Sequence, residues 1–359
     1  MKAYLMLEDG HVFEGSTAVA FKDTISEIVF NTSMTGYPEI FTDPSYAGQA
    51  VVMTYPMIGN YGICRNDLES GQIRPDFFML REMARMPSNF RCEESLDHFL
   101  KKQDIPVITG IDTRTLTKLL REEGTMNGLA TTKAQENSEI IRNKLHSYKT
   151  GNVVERMTCS SQYTLTSPKS SKMIAVLDFG VKRSILKSLQ RRGCSVTVFP
   201  AGTAAEEITG CHPDGIVLSN GPGDPKDCSN IIREIKKLCD SDIPMLAVCL
   251  GHQLISLAMG ADTYRLKYGH RGGNHPVRNL LNGKVFMTSQ NHGYAVKTCS
   301  MDRSKAQPLF ENVNDGTNEG FLYINKKIIT VQFHPEASPG PLDTGYLFDT
   351  FLKMTEVNQ

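Results

Sequence analysis

Short apolar runs broken by turn residues fill roughly the first 150 positions. "MKAYLMLEDGHVFEG" reads as a strand, a turn at Asp9-Gly10 and a second strand. "EIVFNTS" and "AVVMTYP" are further β-like runs between Gly/Pro-rich turns. "DTRTLTKLLREEG" has helical spacing: Leu116, Leu119 and Leu120 share a face, Asp112 or Thr113 can cap the start, and Gly124 can end it. The pattern over residues 1–150 therefore predicts a compact α+β domain. Residues 151–172 are polar and Ser/Thr-rich without sustained periodicity, which predicts a linker or domain crossing.

From residue 173 to 359 the pattern changes. "MIAVLDFG", "KRSILKSLQRRG" and "SVTVFP" form a strand, an amphipathic helix ending at Gly193 and another strand, a βαβ unit. "GIVLSNGPGDP", "CSNIIREIKKLCD" and "PMLAVCLGHQLISLAMGA" continue the alternation. The prediction is an α/β domain with a doubly wound, mainly parallel sheet. "KVFMTSQNHGYAVK", "GFLYI" and "KIITVQFHPE" add β-like pieces, and "TGYLFDTFLKMT" closes with a helix carrying Leu347, Phe348, Phe351 and Leu352 on one face. There is no internal repeat.

Composition narrows the functional classes. Lys plus Arg and Asp plus Glu both total 39, so the formal net charge is zero and nothing pulls the chain towards nucleic acid or an anionic membrane. No apolar run approaches the roughly 18 residues of a membrane span, and the first residues lack a signal-peptide pattern. Nine cysteines, an odd number without a C-x-x-C pair, favour reduced thiols and a cytoplasmic location.

Chemistry concentrates where strands end. Ligand sites in such sheets lie beyond the carboxyl ends of the strands, and "NGPGDP", "CLGHQ" and "FHPE" all stand there. Cys249 occupies the corner between an apolar run and a helix, a turn that lifts a nucleophile out of the sheet. His334 and Glu336, two residues apart in extended chain, point to one face. The imidazole can take the Cys249 proton while the carboxylate orients it, which yields the reactive thiolate. Unpartnered N–H groups at the start of the following helix form an oxyanion site, and Gly221 and Gly223 permit backbone approach. The same three side chains offer too few ligands for a metal, so none is expected. "GPGDP" lacks the Lys-Ser/Thr ending of a nucleotide-binding phosphate loop.

"GPGDP … CLGHQ … HPE" resembles the class I glutamine amidotransferases over residues 173–355. "DFGVKRSIL", "GHRGGNHPV", "SQNHGYAV" and "HPEASPGP" narrow the resemblance to the small chains of carbamoyl phosphate synthetase. "FNTSMTGYPEIFTDPSY", "TYPMIGNYGI" and "GIDTRTLTKLLREEG" extend it through the amino-terminal domain. The resemblance implies Cys249 as nucleophile, His334 as general base and Glu336 as its orienting partner. It implies L-glutamine binding by Ser45, Gly221, Gly223, Leu250, Gln253, Asn291, Gly293 and Tyr294, with Gly223 and Leu250 giving the oxyanion N–H groups. It also implies release of ammonia to a large partner subunit that carries ATP, Mg²⁺ and bicarbonate chemistry in a heterodimer or higher assembly. No cofactor is expected on this chain. The carbamoyl phosphate so made feeds arginine and pyrimidine biosynthesis. The competing readings are an amidotransferase for another synthase, which the first 150 residues oppose, and a silent interaction subunit, which the intact triad opposes. Two departures stand out: Ala247 where many relatives have glycine, and Tyr294 where phenylalanine is frequent. His252, Asn274, His275 and His292 are expected to make structural hydrogen bonds.

Overall fold

The computed structural model describes residues 1–18, 21–133, 138–167 and 170–356. The chain divides into two compact units, Met1–Gly151 and Asn152–Gln359.

In the first unit seven strands close into a barrel. Their order is Lys2–Leu7, Val12–Ser16, Val107–Thr109, Phe77–Leu80, Gln49–Met53, Thr24–Asn31 and Met126–Thr131, with the last pairing back to the first. The mixed α+β character follows the sequence pattern, but barrel closure does not. It rests on pairings remote in sequence, such as Phe78 beside Val107. Of the two cap candidates for the helix Thr113–Glu123, Asp112 takes the role, accepting the Thr115 N–H at 3.0 Å, and Gly124 ends the helix at φ 105°. Ser45 belongs to this unit, buried on the short turn Pro44–Tyr46, where its N–H donates to the Asp43 carboxylate.

The second unit is built on a ten-stranded sheet. Five strands run parallel in the order Cys194–Pro200, Lys172–Asp178, Gly215–Leu218, Met245–Val248 and Ile328–Val331. Antiparallel strands extend both edges: Tyr163–Leu165 on one, and Asn318–Tyr323, Ala306–Asn312, Thr263–Asn279 and Val285–Val296 on the other. The segment 152–172 thus supplies an edge strand and the helix Val154–Met157 to this unit.

Strand alternation explains why the sheet is covered on both faces. Ala175, Leu177, Ile216, Leu218, Met245 and Ala247 pack with Ile235, Leu238, Leu250 and Leu254 on one side. Ile174, Val176, Val217, Leu246 and Val248 pack with Ile185, Leu189, Leu347, Phe348 and Phe351 on the other. Each fully buried large side chain here contributes about 1.5–3 kcal/mol relative to exposure. This double covering leaves the strand ends as the place for chemistry. Among the described residues no helix is long and apolar enough to cross a membrane.

Candidate active site

Three adjacent parallel strands, Gly215–Leu218, Met245–Val248 and Ile328–Val331, deliver the three candidate loops to one sheet edge. Cys249 follows the middle strand at φ 53° and ψ −105°, and the helix Leu250–Ala258 starts at once. Positive φ is costly for a side chain with a Cβ, so the fold must hold it there. It does so from both sides: Cys249 N–H donates to Val331 O at 2.8 Å, and Gly251 N–H donates to Ser219 O at 3.0 Å. Ala247 is fully buried in the strand before the turn, so its methyl group is accommodated without opening the elbow.

The two loop glycines serve different needs. A Cβ at Gly221 would lie 2.5 Å from Phe179 O and 2.7 Å from Leu250 Cδ2, so close approach requires glycine there. At Gly223 the nearest atom would be Val153 Cγ2 at an ordinary 3.7 Å, and its φ of +91° is what requires glycine. Asn220 pins this loop, with Nδ2 donating to Gly180 O at 3.0 Å and Oδ1 accepting the Lys182 N–H at 3.1 Å. The Leu250 N–H, first in its helix, has no intrahelical partner.

His334 follows the neighbouring strand, its N–H bonded to Ser289 O at 2.9 Å. Its Nδ1 donates to Glu336 Oε1 at 2.6 Å, and both residues are buried. Nε2, on the other side of the ring, has no hydrogen-bond partner among the described residues. The sequence reading missed the next member of the array. Lys182, only 2% exposed, donates from Nζ to the same Glu336 Oε1 at 2.9 Å and to Ala337 O at 2.7 Å. Standing at the start of the amphipathic helix Arg183–Arg191, it looks in sequence like any solvated lysine.

Burial and charge oppose each other in this group. Burial disfavours the His334 imidazolium, but the Glu336 carboxylate outweighs it and holds the histidine up to about 10, with Lys182 pulling the other way and the Cys249 thiol adding to the rise. Burial likewise disfavours the Glu336 carboxylate, but Lys182 and His334 together bring it down to about 2. Both shifts favour a lysine and an imidazolium sharing one carboxylate.

Of the remaining candidates in this unit, Asn291 touches the thiol and Gln253 is linked to it through Gln332. Cys249 Sγ lies 3.7 Å from Asn291 O. Gln253 Nε2 donates to Tyr294 O at 2.9 Å and to Gln332 Oε1 at 3.0 Å, and Gln332 Nε2 lies 3.6 Å from Sγ. Gly293 and Tyr294 follow Asn291 on the strand Val285–Val296. Gln332, like Lys182, was not singled out from sequence, because an amide after an apolar strand carries no distinctive signal.

The other polar residues near the motifs serve the fold. His252 is fully buried and held by Thr330 Oγ1 at 2.8 Å, with its basicity driven down to about 3 by burial. His292 contacts Tyr294 O and Gln290 Oε1. Burial lowers His275 to about 4. Asn274 departs from the expectation, being exposed on the strand Thr263–Asn279. His270, His292 and Glu319 bring one ligand atom each within 4.8 Å of one another, the separation a metal would need. Hydrogen bonds already use His292, Glu319 and the Nε2 of His270, while His270 Nδ1 has no hydrogen-bond partner among the described residues. His270 Nε2 meets Asp315 Oδ2 at 2.9 Å, and Glu319 accepts the amides of Gln290 and Asn312. Despite burial, Asp315 and Glu319 hold His270 up to about 9, which favours the imidazolium there.

Comparison with known proteins separates the two halves. The model for "Glutamine amidotransferase class-I" matches residues 175–354. The model for "Carbamoyl-phosphate synthase small chain, CPSase domain" matches residues 5–130. A carbamoyl phosphate synthase small chain from Listeria innocua is 47% identical over 358 residues, covering 100% of this chain and 98% of that one. The chain belongs to the carbamoyl phosphate synthase small chain family. A small chain from Listeria monocytogenes is 48% identical over 98% of this chain and 96% of its own. A Bacillus subtilis relative described as the pyrimidine-specific small chain is 44% identical, covering 100% of this chain and 97% of its own. In this member of the small chain family the parallel-sheet edge described above falls wholly within the amidotransferase match.

Proposed function

We propose that this chain is the glutamine-hydrolysing subunit of a carbamoyl phosphate synthase, working in the cytoplasm with a large ATP-dependent subunit. The supporting observation is the strained Cys249 elbow beside a buried His334–Glu336 pair whose Nε2 has no hydrogen-bond partner among the described residues. Cys249 attacks the side-chain carbonyl of L-glutamine as the thiolate, its proton held by His334 in the imidazolium form. Negative charge developing on that oxygen is met by the N–H groups of Leu250 and Gly223, an arrangement in which one donor is typically worth about 3 kcal/mol. The His334 imidazolium gives its proton to the departing nitrogen, and ammonia leaves the glutamyl thioester. His334, now neutral, takes a proton from water as the water attacks, and glutamate is released. Glu336 orients the ring throughout and stabilises its charged form.

Glutamine as a whole is assigned to Ser45, Gly221, Gly223, Leu250, Gln253, Asn291, Gly293 and Tyr294, with Gly223 and Leu250 at the reacting carbonyl. Gln253 has both Nε2 protons engaged by the protein, so it offers Oε1, an acceptor suited to the substrate ammonium. ATP, Mg²⁺ and bicarbonate belong to the partner, which converts the ammonia to carbamoyl phosphate for arginine and pyrimidine synthesis. The test is reconstitution with a large subunit. Cys249→Ala is expected to lose synthesis from glutamine and retain synthesis from added ammonia. Loss of both in an assembled complex, or persistence of both, would refute the assignment.

A further inference from the structure

We propose that Gln332 is a catalytic residue of the cysteine, its side-chain amide stabilising the ionised sulfur of Cys249. The proposal rests on the reading of Cys249 as nucleophile. Gln332 is fully buried, and its own backbone N–H is anchored on Glu319 O at 2.9 Å. The orientation of its amide is dictated by neighbours. Tyr294 O is a backbone carbonyl and can only accept, so the Gln253 atom at 2.9 Å from it is Nε2. The second proton of that nitrogen meets Gln332 at 3.0 Å, so the Gln332 atom there is Oε1. Gln332 Nε2 is thereby left facing Cys249 Sγ at 3.6 Å. One carbonyl sets both amides by hydrogen-bond accounting alone.

The partners of sulfur make this donor matter. A neutral thiol can donate to Asn291 O at 3.7 Å, whereas a thiolate cannot and faces the negative end of that carbonyl. The Gln332 N–H contact changes in the opposite sense, from weak to charge-assisted, as the proton leaves sulfur. Gln332 therefore favours the ionised form, and it links the sulfur to Gln253, which is assigned to the substrate's amino-acid end.

The test is the pH dependence of inactivation of the full chain by a chloroketone analogue of glutamine, with the labelled cysteine identified by peptide mapping. Gln332→Met removes the donor at similar volume without adding charge. Gln332→Glu keeps the shape and replaces the donor by an acceptor. Thermal unfolding confirms that each variant is folded. The acid limb of the profile is expected to move up by about one pH unit, read as an approximately tenfold slower inactivation at a pH on that limb. A purely structural role would lower the rate at every pH and leave the limb in place. An unmoved limb in a folded variant that still labels at Cys249 would overturn the proposal alone. Labelling of the parent elsewhere than Cys249 would overturn the nucleophile assignment and this proposal with it.

Discussion

Replacing Lys182 by methionine tests the electrostatics of the site most directly. Lys182 and Glu336 are 2% and 4% exposed, and Nζ and Oε1 are 2.9 Å apart. Removing one member of a buried ion pair typically costs about 3–5 kcal/mol, because the survivor remains buried with its charge less compensated. Here Glu336 keeps the His334 imidazolium at 2.6 Å, which places the expected cost near the lower end, about 3 kcal/mol. For a unit of this size each kcal/mol shifts Tm by about 2–4 °C, so the transition should fall by about 6–12 °C. Calorimetry of the full chain measures it. The double variant Lys182→Met, Glu336→Gln removes both charges and should melt above Lys182→Met alone.

The same substitution has a kinetic signature. Lys182 opposes the proton on His334 through its charge, so without it Glu336 holds the imidazolium more tightly. A tighter imidazolium is a poorer acid towards the leaving nitrogen, and kcat for glutamine hydrolysis should fall. KM should change little, since Nζ donates to Glu336 and Ala337, neither of which is assigned to the substrate. An unchanged Tm in Lys182→Met, or a double variant destabilised by the sum of its parts, would refute the shared-carboxylate account.

Further outcomes are expected elsewhere. His334→Asn should lower kcat by about 10²–10⁴-fold with a much smaller change in KM, measurable by steady-state glutaminase assay; a change confined to KM would remove it as the base. Ser45→Ala should raise KM for glutamine by the equivalent of about 1 kcal/mol. Gly251→Ala would place a Cβ 2.5 Å from Leu218 O and 2.8 Å from Leu218 Cβ, so it should lower both Tm and kcat by displacing the elbow. Stability should also fall on acidification below about pH 6.5. There the unfolded chain protonates His252 and His275 while the folded chain holds them neutral down to about 3 and about 4. His334 and His270 act on the other side. Their stabilisation is complete below 6.5 and is lost as the pH rises through about 10 and about 9, so urea unfolding should show decline in both directions.

Much of the second unit was legible because its strands are apolar on both faces and its helices amphipathic. "MIAVLDFG", "GIVL" and "PMLAV" announce buried parallel strands, and buried parallel strands imply that the loops at their carboxyl ends share an edge. That inference brings Cys249 and His334 together from the pattern of the chain alone. Less was legible where the pattern is broken or the contact remote. The 17-residue strand Thr263–Asn279 carries "GHRGGNHP" and register shifts at two places, so its alternation is hidden. Tyr163–Leu165 is three residues long and exists only because Cys194–Pro200 offers it an edge. Barrel closure in the first unit likewise depends on which distant strands meet. Lys182 and Gln332 escaped for a different reason. Their residue types are ordinary at a helix start and a strand end, and only their burial against Glu336 and Cys249 distinguishes them.

The histidines show why residue type and burial cannot assign chemistry by themselves. His252, His292 and His334 are all buried within the same unit, close to the same motifs. Burial alone disfavours the imidazolium in each. Among the described residues the His252 ring hydrogen-bonds a threonine hydroxyl and no carboxylate, and burial drives its basicity down to about 3. His292 faces a backbone carbonyl and an amide oxygen; burial dominates with the positive charge of His270 nearby, and its basicity falls well below the ordinary value. His334 alone of the three has a carboxylate on Nδ1, and that partner reverses the sign. A proton available at Nε2 beside the thiol therefore depends on Glu336, and the charge of Glu336 is itself shared with Lys182. The neutral histidines can hold strands in register but cannot protonate a leaving nitrogen at neutral pH. What distinguishes the acid of the reaction is thus a chain of partners, Lys182 to Glu336 to His334, that converges in the fold from loops 154 residues apart in sequence.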